Sequence, residues 1–173
     1  LAAGAYIREH GPVDRSPAAI VDLLLRHVVA RVQDHTPWRP GARELLASLR
    51  AANVPCALVT MSFDVLADAV VTQLPADTFS AIITGDRVEH GKPHPEPYLR
   101  AAAALGADPA QCVAIEDSPT GIASAEAAGC RTLAVPHVAA VPPAPGRTII
   151  TSLRTIDAAW LAAFVQTDRS PAT

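Results

Sequence analysis

The sequence predicts a doubly wound α/β fold with a mainly parallel, Rossmann-like sheet, and three observations carry that reading. Short, continuously apolar runs of strand length recur at residues 56–60, 79–84, 112–115 and 132–135. Segments with apolar residues at helical spacing separate them. Half of the 173 residues are hydrophobic and 18% are charged, which supplies the apolar surface for a buried core. Strands without polar alternation suit a sheet covered on both faces, and their alternation with helices implies right-handed βαβ crossovers. The length fits one domain with a small appendage.

Taken in order, the first helix starts at Ser16-Pro17, an N-cap followed by proline at the first helical position. Ile20, Leu23, Leu24 and Val28 form its stripe, which fades near Gln33-Asp34-His35. Trp38-Arg39-Pro40-Gly41 then punctuates the chain and marks a boundary. Leu45, Leu46, Leu49 and Ala52 mark a helix ending at Asn53, a residue suited to the position after a helix. The strand at 56–60 follows, then a helix carrying Phe63, Leu66, Val70 and Leu74. After the strand at 79–84, Tyr98, Leu99, Ala102 and Leu105 mark another helix. The strand at 112–115, an alanine-rich helix over 119–128 and the strand at 132–135 complete the alternation. Val141-Pro142-Pro143-Ala144-Pro145 reads as an extended connector, and residues 167–173 as a frayed end.

Several function classes drop out. Fourteen Lys and Arg against seventeen Asp and Glu give a net charge of −3 with no basic cluster, so nucleic acid is not an expected partner. Charges or prolines interrupt every apolar run before it could span a bilayer, and residues 1–7 lack the basic start of a secretory signal. Cys56, Cys112 and Cys130 form no Cys-x-x-Cys pair. They suit small buried hydrophobes in a reducing compartment, with cytoplasm as the default.

Ligands of open α/β sheets bind beyond the carboxyl ends of the strands. There the first strand ends on Thr60, followed by Met61 and Ser62. The second leads to Gly91-Lys92-Pro93, and the third ends on Glu116-Asp117-Ser118. Singly, each has a plainer reading: Thr60 as a β-branched strand residue, Ser62 as a helix cap, Lys92 as a solvated lysine, and Glu116 and Asp117 as acids favoured by the next helix dipole. His90 and His94 flank Lys92 without a ligand-like partner and read as loop-surface groups. Residues 85–92 imitate a P-loop, but five residues separate the glycines and Pro93 stands where a hydroxyl is needed. As a set, two carboxylates favour a hard cation such as Mg²⁺, while a lysine and a hydroxyl can hold phosphoryl oxygens.

With these residues in place, the sequence resembles the haloacid dehalogenase superfamily, specifically its β-phosphoglucomutase-like phosphatases with a helical cap. Ala57-Leu58-Val59-Thr60 resembles the family's second motif, residues 91–98 (Gly-Lys-Pro-His-Pro-Glu-Pro-Tyr) the third, and residues 114–121 (Ala-Ile-Glu-Asp-Ser-Pro-Thr-Gly) the fourth. The resemblance implies that Thr60, Met61, Ser62 and Lys92 bind the phosphoryl group, that Thr60 and Lys92 assist catalysis, and that Glu116 and Asp117 hold Mg²⁺. It implies a Mg²⁺-dependent phosphatase acting on a small phosphorylated metabolite through an aspartyl-phosphate. A sugar-phosphate mutase and a non-catalytic phosphate- and metal-binding remnant are the alternatives. Residues 1–36 would be the later part of a helical cap and 37–173 the α/β core. The family's nucleophile lies in an Asp-x-Asp motif on the first, central core strand, and no Asp-x-Asp occurs in this sequence. That strand is therefore expected from a preceding segment of the same protein, pairing between the strands that end at Thr60 and Glu116.

Overall fold

The computed structural model describes residues 2–167. Two helices come first, α1 (Ala2–His10) and α2 (Pro17–Asp34). The alternating part follows as α3 (Ala42–Ala51), β1 (Ala57–Val59), α4 (Asp64–Val71), β2 (Ala81–Ile83), α5 (Glu96–Ala104), β3 (Val113–Glu116), α6 (Pro119–Ala127) and β4 (Arg131–Ala134). The chain then adds β5 (Arg147–Ile149) and α7 (Ala158–Thr167). Every strand pair is parallel, as the apolar runs predict, and the α/β architecture is the one the sequence implies.

Local chemistry explains the boundaries. Ser16 caps α2 through its side chain, accepting from the Ala19 N–H, with Pro17 at the first position. Asn53 adopts φ 53° after α3. Its N–H reaches the Arg50 carbonyl, and the Val54 N–H reaches the Leu49 carbonyl at 2.9 Å. These are the two bonds of a Schellman ending. Hydrogen bonds from Ser80 N–H to the Cys56 carbonyl and from Thr60 N–H to the Ile83 carbonyl continue the β1–β2 ladder past both ends of β1.

The strands form two sheets, β1–β2 and β3–β4–β5. Period-two alternation sorts β3 between two cores. Val113 and Ile115 pack with Leu45, Leu49, Leu133, Ile156 and Leu161, which places α3 and α7 on one face. Ala114 packs with Tyr98, Ala125, Ala128 and Cys130, which places α5 and α6 on the other. Glu116, two residues after Ala114, therefore leans toward α5.

Four features differ from the sequence reading. All residues of β1 and β2 are only half buried. Among the described residues β1 pairs with β2 alone, so its other edge lacks the neighbour that full burial requires. The α2 stripe is covered only at Ile20, while Leu23, Leu24 and Val28 stay 41–48% exposed. The contacts of α2 lie elsewhere: Pro17 and Val21 pack on Gly4 of α1, and the Val32 carbonyl accepts from Gln73, just past α4, at 2.6 Å. α1 lies where the sequence reading places no element. Residues 146–166, also without an assigned element, contain β5, which extends the sheet beside β4, and most of α7, whose start Asp157 caps by accepting from the Trp160 N–H at 2.7 Å. Residues 141–145 are the expected irregular connector. The predicted frayed end falls, beyond Thr167, outside the described residues. No helix among the described residues is long and apolar enough to cross a membrane.

Candidate active site

The chain leaves β1 through Thr60 and turns at once. Thr60 Oγ1 accepts the Ser62 N–H at 3.1 Å, which leaves the hydroxyl proton of Thr60 free to donate elsewhere. Gly85 donates to the Ser62 carbonyl at 3.0 Å and lies so close to the Met61 backbone that a Cβ there would collide with it. Met61 in turn seats the next loop, its Sδ accepting the Lys92 N–H at 3.2 Å.

That loop is closed on itself before α5 begins. The His94 N–H reaches the Gly91 carbonyl at 3.0 Å. Glu96 accepts the N–H groups of Glu89 at 2.9 Å and His90 at 2.8 Å. These backbone donors hold the Glu96 carboxyl at a pKa of about 2, below the usual carboxylate range. The result is a rigid platform from which Lys92 points inward, its side chain only 9% exposed.

Lys92 joins the two sheets. Its Nζ donates to the carbonyl of Val59 on β1 at 3.0 Å and pairs with the carboxylate of Glu116 on β3, which is 7% exposed. Tyr98 of α5 donates its hydroxyl to the same Glu116 oxygen. Burial, and then the adjacent Glu116 charge, push that hydroxyl well above the usual tyrosine range, so it remains a donor. The other Glu116 oxygen accepts the Asp117 N–H at 3.2 Å and the Ser118 hydroxyl at 3.3 Å. Ser118 caps α6 by accepting the Gly121 N–H at 3.1 Å, and a Cβ on Gly121 would run into the Glu116 carboxylate. Four donors thus occupy the roughly four lone-pair sites a carboxylate offers.

A cavity of about 440 Å³ opens between the ends of β1 and β3, lined by Arg39, Thr60, Met61, Lys92, Glu116 and Asp117 among others. Five of the six residues singled out from sequence meet there. Ser62 does not line it and instead closes the turn after Thr60. Glu116 is the hub of a donor network. Asp117 is exposed, and its carboxylate accepts no hydrogen bond among the described residues, so it is the acid available to a hard cation. An ammonium, a hydroxyl and a guanidinium facing a free carboxylate suit a phosphoryl group held together with a divalent cation.

The sequence reading gives no site role to Tyr98, Ser118 or Arg39. Tyr98 figures there as an apolar helix position and as the last residue of the third motif, although a buried tyrosine hydroxyl needs a partner and points to a search for one. Arg39 stood in a stretch read as punctuation, and no local signal marks it as a cavity residue.

Comparisons with known proteins point to one family. A family model described as haloacid dehalogenase-like hydrolase matches residues 5–129. Hexitol phosphatase A of Escherichia coli (strain K12) is 40% identical over 113 residues, covering 64% of this chain and 51% of that protein. Protein CbbY of Rhodobacter capsulatus is 41% identical over 134 residues, covering 73% of this chain and 58% of the other. The chain therefore spans about half to three-fifths of the length of these relatives. Among solved structures, CbbY from Rhodobacter sphaeroides in complex with phosphate is similar with a TM-score of 0.78 at 27% identity, over 91% of this chain and 75% of that one.

Proposed function

The chain belongs to the haloacid dehalogenase-like hydrolase family, and on that basis we propose that the protein is a Mg²⁺-dependent phosphatase acting on a small sugar or polyol phosphate. The observation that carries the reading is the buried Lys92 ammonium, which ties Val59 of β1 to Glu116 of β3 beside a cavity that also presents Thr60 and Asp117. The names of the relatives support the substrate class, since they include two hexitol phosphatases; a phosphoglycolate phosphatase supports only the broader class of small phosphate esters.

In this reading the Lys92 ammonium and the Thr60 hydroxyl bind the transferring phosphoryl oxygens, with Met61 positioning the Lys92 loop and Ser62 holding the turn that aims Thr60. Asp117 would hold the metal, while Glu116, whose lone pairs are taken by its four donors, lies beside it and acts through Lys92. Bound Mg²⁺ would supply charge neutralisation at the phosphoryl oxygens. Glu116 holds the Lys92 ammonium in place, and Tyr98 and Ser118 fix Glu116. The nucleophile is assigned, from the family resemblance, to an aspartate on a strand pairing between β1 and β3, which residues 1–173 do not contain. Its oxygen forms a bond to phosphorus while the bond to the substrate alcohol breaks, and water then hydrolyses the aspartyl-phosphate. Residues 1–36, with α1 and α2, are assigned to the later part of a cap, and residues 37–173 to the core.

The test is to incubate the protein carrying this chain and its nucleophile strand with hexitol, hexose and glycolate phosphates. We expect inorganic phosphate and free alcohol in equal amounts, lost with a chelator and restored by Mg²⁺. An isomerised sugar phosphate without phosphate release would make the protein a mutase. Phosphate binding without turnover would make it a binding remnant.

A further inference from the structure

The loop that delivers Lys92 inward carries a second group of ligand-type side chains on its exposed outer side. We propose that His90, His94 and Glu96 form a binding site for a borderline transition-metal ion of the Zn²⁺ class, separate in position and chemistry from the Asp117 site. One ligand atom from each of the three lies within 4.8 Å of the others. The turn closed by the His94 N–H and the Gly91 carbonyl folds the two histidines back on each other, and their rings lie 4.6 Å apart at a tilt of 33°. His90 Nδ1 stands 3.2 Å from Glu96 Oε2, and His94 Nδ1 presents its lone pair to the Glu96 N–H at 3.2 Å. His90 therefore already faces the Glu96 carboxylate, while His94 sits against the Glu96 backbone beside it.

The sequence alone shows the two histidines without a third ligand; the fold supplies it. Glu96 is fixed by the N–H groups of Glu89 and His90, the kind of outer hydrogen bonding that orients metal-binding carboxylates. Arg100 approaches Oε1 at 3.3 Å, which leaves Oε2 as the coordinating oxygen. With metal–ligand bonds of about 2.0–2.2 Å, two ligand atoms on one tetrahedral ion stand about 3.3–3.6 Å apart. The His90–Glu96 contact of 3.2 Å is already close to that spacing. The other separations, at most 4.8 Å, close by no more than about 1.5 Å as the exposed imidazoles turn toward the ion. Two imidazoles and one carboxylate, with a water completing the shell, select Zn²⁺, Cu²⁺ or Ni²⁺ over Mg²⁺, which prefers oxygen. Because His90 and His94 bracket Lys92, an ion bound there clamps the segment that carries it.

The site is tested by titrating the purified protein with Zn²⁺ in excess Mg²⁺, with calorimetry and histidine ring-proton shifts as readouts, and with Co²⁺ as a spectroscopic probe. The expected result is one Zn²⁺ per chain, shifts at His90 and His94, and a Co²⁺ spectrum without a thiolate charge-transfer band. His90→Ala and His94→Ala, at unchanged melting temperature, should each weaken binding at least about tenfold. No Zn²⁺ uptake, uptake with those ring protons unmoved, unchanged affinity in either variant, or a thiolate band placing the ion on cysteine would each overturn the site.

Discussion

Removing Lys92 and Glu116 from water is costly for both ions, and the pair is sustained only because every acceptor site on Glu116 is filled. Breaking such a pair from one side leaves an uncompensated charge. Lys92→Met should therefore lower unfolding stability by about 3–5 kcal/mol in urea titrations. A variant as stable as the parent would show that the pair is solvated. Tyr98→Phe removes one donor to the same charged oxygen and should cost about 1.5–3 kcal/mol, read from the shift in denaturation midpoint. Thr60, Lys92, Glu116 and Asp117 were legible in the sequence because strand ends in a parallel sheet converge by topology. Tyr98 was not, because helical periodicity says that a position faces the core and nothing about a hydroxyl partner on a strand 18 residues away.

Between β2 and α5 the chain uses a carboxylate where a cap would normally stand. α5 has no side-chain N-cap, and Glu96 in its first turn gathers the N–H groups of the preceding loop instead. Its carboxyl, lowered to about 2, contributes stability that is fully present above the unfolded value of about 4.3. That contribution is lost as pH falls through about 2. The melting-temperature difference between the parent and Glu96→Gln should stay constant from pH 7 to about 4.3 and then shrink toward zero near pH 2. A difference that persists at pH 2 would place the contribution elsewhere. At this same scale the sequence gives an uneven account. The Ser16 cap and the Asn53 ending were readable, since each is a local bond with a residue preference. β5 was hidden because three residues, Arg147–Ile149, become a strand only by pairing with β4. α7 is readable in principle from Ile156, Trp160, Leu161 and Phe164 at helical spacing, a signal that the proline-rich connector before it obscures.

Across the whole molecule the defining feature is a parallel sheet in two parts, with Lys92 and the cavity spanning them. The alternation of elements was legible because it is written in local periodicity. The half-burial of β1 was not, because burial depends on what pairs along its other edge. In the proposed function this junction holds a phosphoryl group and a divalent cation together. Asp117 tests it most directly, since its exposed carboxylate supports no hydrogen bond among the described residues and can be altered with the fold intact. The decisive measurement is Mg²⁺-dependent phosphate release by the protein carrying Asp117→Asn beside its parent. The expected result is the same melting temperature and a turnover lower by at least about a hundredfold, as the loss of roughly 3 kcal/mol of transition-state stabilisation requires. Undiminished release at saturating Mg²⁺ would contradict it.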